Sequence, residues 1–179
     1  MQAREHGTGL NAVNLRVFAR SGKGVDMAAD GEIVIRTACR ADFAEIARIE
    51  RLSRPAPWPD RIIRQSMDGA SCRCAAAQKP AGAGLAGFCF YRYLGTDMEI
   101  DDLAVEPAFR RGKIATRLME YALDCGRGAG IVRCLLDVGA TNGAALGLYR
   151  KLGFTDDGIR RNYYADGEHA ILMSRNVSG

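Results

Sequence analysis

Residues 103–116 read Leu-Ala-Val-Glu-Pro-Ala-Phe-Arg-Arg-Gly-Lys-Ile-Ala-Thr, and they join a strand to a helix with very little chain between. An apolar strand stops at Pro107, which cannot continue a ladder. A short turn then carries Arg110, Arg111 and Lys113 around Gly112. A long helix follows at once, with Ile114, Leu118, Tyr121 and Cys125 at helical spacing. A chain built around this junction folds as a mixed α/β domain with a helix N-terminus at the end of a strand. The first N–H groups of that helix and its dipole form a ready anion site. Gly112 and Ala115 are small enough for a phosphate to approach the main chain, and the three cations add charge.

The remaining elements fit the same class. A short strand contains Ile33 and Ile35, and Asp42 stands at the cap or first turn of a helix carrying Phe43, Ile46, Ile49 and Glu50. Arg54-Pro55-Ala56-Pro57-Trp58-Pro59 breaks that helix, and a second runs from Asp60 to about Asp68. Cys72–Gln78 and Leu85–Leu94 read as strands joined by a Pro- and Gly-rich turn, and Met98–Glu106 as a third. Gly126, Gly128 and Gly130 are expected to end the long helix. Val132–Val138 is a strand, a helix opens near Thr141 or Asn142 and closes at Gly153, and Phe154–Arg161 and His169–Arg175 form a final antiparallel pair. No internal repeat is present.

Composition narrows the function. The 179 residues correspond to one domain, and 47% hydrophobic with 26% charged residues is ordinary for a soluble protein. No apolar run approaches a membrane span. A net charge of +4, dispersed along the chain, argues against a nucleic-acid partner and suits an anionic ligand. Of the six cysteines, Cys72 and Cys74 form a C-x-C without zinc-site spacing, and no metal is implied. The cysteines read as reduced, small buried hydrophobes, which points to the cytoplasm. Residues 1–30 lack periodicity and read as a disordered tail, or as an over-long start with Met27 as the true first residue; the folded domain is expected over 31–177.

A second constellation lies about 30 residues downstream. Leu135-Leu136-Asp137-Val138 is a strand, Asn142 stands at a helix start, and Ala145, Leu148, Tyr149 and Gly153-Phe154 follow in the order A-x-x-L-Y-x-x-x-G-F. Together the two segments resemble the GNAT N-acetyltransferase superfamily. Val105, Pro107, Arg110 and Ala115 match its first motif, whereas Lys113 stands where the family usually has glycine, as if that glycine had moved to Gly112. Arg160-Arg161-Asn162-Tyr163-Tyr164, Glu168-His169-Ala170 and Ala56-Pro57-Trp58 resemble the RimI branch, whose members acetylate the N-terminal alanine of a small-subunit ribosomal protein.

The resemblance implies a central, mostly antiparallel sheet splayed between two strands, with about four helices around it. It implies acetyl-CoA as cosubstrate, held by Leu103, Ala104, Val105, Arg110, Arg111, Gly112, Lys113, Ile114, Ala115, Thr116 and Asn142. The partner would be a protein N-terminus, with no nucleic acid and no membrane, and the enzyme a monomer or weak dimer. Tyr149 would protonate the departing thiolate. Asp137 stands where members commonly have glutamate, and Glu99 matches the base of histone-acetylating relatives; either, or a water-linked pair, would deprotonate the amine. Strand alternation puts Glu99 and Asp101 on one face and Asp102 on the other. Two other readings stay open: an acetyltransferase for lysine, polyamine or another small amine, and a non-catalytic acyl-CoA-binding module.

Overall fold

A computed structural model describes residues 32–177. The expected tail at 1–30, and a start at Met27, lie outside the described residues. Seven strands form one sheet: β1 (Val34–Thr37), β2 (Cys72–Gln78), β3 (Leu85–Leu94), β4 (Asp97–Val105), β5 (Arg133–Gly139), β6 (Thr155–Arg160) and β7 (Ala170–Asn176). Their order in space is β1-β2-β3-β4-β5-β7-β6, and every neighbouring pair is antiparallel except β4 with β5. The helices are α1 (Phe43–Ser53), α2 (Asp60–Asp68), α3 (Ile114–Gly128) and α4 (Gly143–Lys151).

The sheet separates two apolar layers. On one face, Ile114, Leu118, Met119 and Ala122 of α3 and Leu146 and Tyr149 of α4 pack on Cys89, Tyr91, Met98, Ile100, Cys134 and Leu136. On the other, Ile46, Ala47 and Ile49 of α1 and Ile63 of α2 pack on Cys74, Ala76, Phe88, Phe90 and Ala104. The i, i+3 spacing of Ile46 and Ile49 puts both on one stripe of α1, as the sequence pattern requires. Asp42 anchors the entry to α1: its carboxylate accepts from the Cys39 N–H at 2.7 Å and from both terminal nitrogens of Arg36 at 2.7 Å. Arg54 precedes a proline and is extended, so α1 stops at Ser53.

Two details depart from the sequence reading. Gly126 does not end α3 but lies inside it, where an added Cβ would sit 2.6 Å from Met98 Sδ; the glycine lets the helix approach the sheet. Gly130, at φ +79°, makes the stop. The second departure is a β-bulge in β4. Ile100 lies opposite Tyr91 and Asp102 opposite Phe90, so Asp101 is an extra residue in the ladder. The expected alternation therefore fails at this point. Asp102 faces the α1 layer beside Ala104, and Leu103 returns to the α3 face.

The β4–β5 pair carries the main consequence for function. Its register covers only Asp97–Ile100 against Arg133–Leu136. Beyond Ile100 the two strands part, and residues 102–105 of β4 pair with β3 alone. The splay expected from the sequence is present.

Candidate active site

The splay opens a cleft whose floor is the unpaired edge of β4 at Leu103–Val105, with α3 starting just beyond it. The first intrahelical bond at that start runs from the Arg117 N–H to the Lys113 carbonyl at 3.0 Å. The N–H groups of Ile114, Ala115 and Thr116 are thus free to donate to an anion. The turn before them is held by two left-handed residues, Arg111 at φ 68° and Lys113 at φ 58°. Gly112 is not one of them, so the glycine has not taken over the role of the one the family places at Lys113. Holding lysine in that conformation costs about 1–2 kcal/mol. Arg111 and Lys113 are exposed and carry no ion pair among the described residues. Arg110 is turned back instead: its guanidinium donates to the carbonyls of Val105 at 3.2 Å and Ser53 at 3.4 Å, tying the turn to the end of α1. A pyrophosphate fits this cradle through its main-chain donors and the Arg111 and Lys113 cations.

Asn142 caps α4, its Oδ1 accepting from the Ala145 N–H at 3.1 Å. This leaves its amide nitrogen for a ligand. Tyr149 is buried against Phe154, with ring centroids 5.8 Å apart. Its hydroxyl has no hydrogen-bond partner among the described residues. Burial raises its pKa above the ordinary phenol value, so it is a neutral proton donor across the physiological range.

Three carboxylates line the opposite, α1 face. Glu99 lies beside Leu135 in the β4–β5 register, and Asp137 is two residues further along the same face of β5. Arg92 holds both Glu99, at 3.0 Å, and Asp101, at 2.9 Å. Burial pushes Asp101 up to about 6, against the pull of Arg92. Asp137 is bonded by Arg160 at 2.7 Å. Its pKa is raised, first by burial and then by the charge of Glu99, with Arg160 and Tyr163 opposing.

The acetyltransferase (GNAT) family model matches residues 42–154. The N-alpha-acetyltransferase RimI of Mycobacterium tuberculosis is 33% identical over 158 residues, which cover 84% of this chain and 97% of the relative.

The chain belongs to the GNAT acetyltransferase family.

The ribosomal protein bS18-alanine N-acetyltransferase of Escherichia coli is 29% identical over 140 residues, covering 76% of this chain and 93% of the relative. The crystal structure of the Escherichia coli ribosomal-protein-S18-alanine N-acetyltransferase superposes with a TM-score of 0.76 at 27% identity, covering 82% of this chain and 95% of that one. This GNAT protein is an acetyl-CoA-dependent N-acetyltransferase of RimI resemblance, and its fold is the one the motifs implied.

Two parts of this GNAT cleft were not singled out from the sequence as site residues. Glu168 reaches across from the β6–β7 loop to accept from the Thr141 N–H at 2.8 Å and the Thr141 hydroxyl at 2.6 Å, fastening the start of α4. In the sequence Glu168 belongs only to the Glu168-His169-Ala170 stretch that resembles the RimI branch, and nothing there points to its contact with Thr141. The other part is a cluster of Glu50, Arg54 and Asp102 beneath the cleft. Here a signal existed: Glu50 stands next to Ile49 on the apolar stripe of α1, where an unpaired acid does not belong.

Proposed function

We propose that this acetyltransferase modifies the α-amine of a protein N-terminus, and that its acceptor is an alanine-starting ribosomal protein. The observation that carries this reading is the β6–β7 region. Arg160, Tyr163 and Tyr164 stand over Asp137 at the acceptor end of the cleft, in the Arg-Arg-Asn-Tyr-Tyr stretch that resembles the RimI branch. Relatives named for alanine N-acetylation of a ribosomal protein, matching three quarters or more of the chain, support it.

In this proposal a carboxylate at Asp137, linked through water to Glu99, takes the proton of the incoming ammonium. The neutral amine attacks the thioester carbonyl. The free edge of β4 at Leu103–Val105 presents main-chain donors to the oxyanion, and such donors contribute about 3–4 kcal/mol each. The C–S bond of the tetrahedral adduct then breaks, Tyr149 gives its proton to the departing thiolate, and the second proton shed by the attacking nitrogen restores the phenol. The Ile114–Thr116 amides, Arg111 and Lys113 hold the pyrophosphate, and the Asn142 amide holds the pantetheine arm. The folded domain spans 31–177 and works in the cytoplasm as a monomer or weak dimer.

The deciding experiment is acetylation of a peptide panel that differs in the first residue, with spermidine and free lysine alongside, read by mass spectrometry. The alanine-starting ribosomal peptide is expected to give the highest kcat/KM. A higher value for spermidine would refute the N-terminal reading and leave the GNAT assignment intact.

Cofactor binding provides a second check. Acetyl-CoA at about 100 times its Kd should stabilise the fold by about 2.7 kcal/mol and raise Tm accordingly. Arg111→Glu is expected to weaken acetyl-CoA about tenfold by calorimetry, the loss of one charge-assisted phosphate contact. Arg61→Glu, exposed on α2 and remote from the cradle, should leave it unchanged. Equal affinities for the two variants would remove Arg111 from the phosphate site.

A further inference from the structure

Beneath the acceptor side of the cleft lie two carboxyl groups that the reaction above does not use. The side chain of Glu50 is fully buried and that of Asp102 is 1% exposed. Arg54 bridges them, its Nε 3.1 Å from Glu50 Oε1 and its terminal nitrogen bonded to Asp102 Oδ1. Glu50 Oε1 also accepts from the Trp58 N–H at 2.9 Å, and the Trp58 ring stacks on Phe90 at 5.9 Å. The remaining oxygens, Glu50 Oε2 and Asp102 Oδ2, are buried with no partner, although the two carboxyls lie within hydrogen-bonding reach of each other.

Two buried carboxylates side by side with one guanidinium are a poor arrangement electrostatically. A single proton removes the problem. If Asp102 Oδ2 carries it and donates to Glu50 Oε2, both orphaned oxygens are satisfied, and the set of Asp102, Glu50 and Arg54 is neutral. We propose that Asp102 carries this proton below neutral pH and that the Asp102–Glu50 pair is a positioning device, holding the Arg54–Trp58 segment against the acceptor end of the cleft. This rests on the N-terminal acetylation reading for its acceptor, but not for the proton.

The surroundings favour the protonated form. Asp102 faces Glu50 and Arg54 of α1 and Cys74 of β2, with Asp101 next to it in the chain, and its charge is also felt through the sheet at Cys89 of β3 and Tyr149 of α4. Burial raises Asp102 to about 7, with Arg54 opposing and Glu50 adding to the rise. The charge of Arg54 is felt by both Tyr149 and Tyr164, so it lies near both. Ionising Asp102 breaks its bond to Glu50 and sets the two acids against each other, so the segment that Glu50 holds by Arg54 and by the Trp58 N–H loosens.

The first test follows the side-chain carboxyl carbons of the wild-type full chain by NMR as pH is varied. The carboxyl whose signal Asp102→Asn removes should remain protonated at about pH 6 and ionise after that of Asp101, well above ordinary carboxylates. If every carboxyl has ionised by about pH 5, the proposal is wrong whatever the acceptor is. The second test uses the best acceptor found in the peptide panel, so a wrong acceptor assignment does not affect it. Asp102→Asn can still donate to Glu50 Oε2 and accept from Arg54. It should keep the wild-type acceptor KM at about pH 6 and lose the wild-type rise towards about pH 8. Asp102→Leu should raise the acceptor KM by about tenfold with the acetyl-CoA KM unchanged. If Asn proves as damaging as Leu, or the pH-dependent rise persists in the Asn variant, the positioning role is excluded. Should the Leu variant fail to fold, the NMR titration and the Asn profile decide between the same two outcomes.

Discussion

Tyr149→Phe is expected to lower kcat by roughly 10²–10⁴ while leaving the fold and acetyl-CoA affinity nearly unchanged. The ring is part of the α3–α4 layer and stays packed against Phe154 in the variant. The hydroxyl has no partner among the described residues, so removing it leaves no buried donor or acceptor there unsatisfied, and the stability cost is small. Burial keeps the phenol protonated, which suits a group that must give a proton to a thiolate and not take one. Single-turnover and steady-state rates with thermal melts of both proteins measure this directly. A near-normal kcat in Tyr149→Phe would make Tyr149 a core residue and require water to protonate the thiolate.

Much of this cleft could be read from the chain because its signals are local. Pro107 ends β4, the basic turn follows, and the apolar spacing from Ile114 to Cys125 gives α3. Asn142 sits at the start of α4 and caps it, as a short polar side chain there should. What could not be read depends on backbone angle or on distance in sequence. Gly112 is the residue that draws the eye in the turn, yet the left-handed positions are Arg111 and Lys113. The bulge at Asp101 has one trace in the sequence, the adjacent Asp101-Asp102 pair that interrupts the polar–apolar alternation begun by Glu99 and Ile100, but that trace does not say which aspartate is the extra residue. Only the pairing with β3 reveals that Asp102 has changed sides. The Asp102–Glu50 contact joins residues 52 positions apart, so Glu50 could be recognised as misplaced without its partner being nameable.

The bulge also bears on the general base. It leaves Glu99, Asp101 and Asp102 all on the α1 side of β4, but their surroundings differ. Asp102 is committed to Arg54 and Glu50, and Asp101 to Arg92. Glu99 shares Arg92 and remains partly exposed, and Asp137 is the one of these carboxylates that Tyr163 of the β6–β7 loop acts on. Two residues along a strand span roughly 7 Å, and with both side chains reaching from that distance one water can link the Glu99 and Asp137 carboxylates. Asp137→Asn is therefore expected to lower kcat/KM by about 10²-fold and Glu99→Gln by less, since Arg92 already holds Glu99. The sign of the pH effect follows from the shift. A base must be ionised to work, and the pKa of Asp137 is raised, so the wild-type rate should climb as pH rises through that elevated value. Asp137→Asn should lose this acid-side limb, while Glu99→Gln should move it to lower pH, because the charge of Glu99 contributes to the elevation. The double variant should fall by less than the product of the singles, as residues acting through one water are not additive. Full kcat/KM profiles of the four proteins test the scheme. An unshifted profile in Glu99→Gln would leave Asp137 as the base alone, and an unshifted profile in Asp137→Asn would give the proton to water.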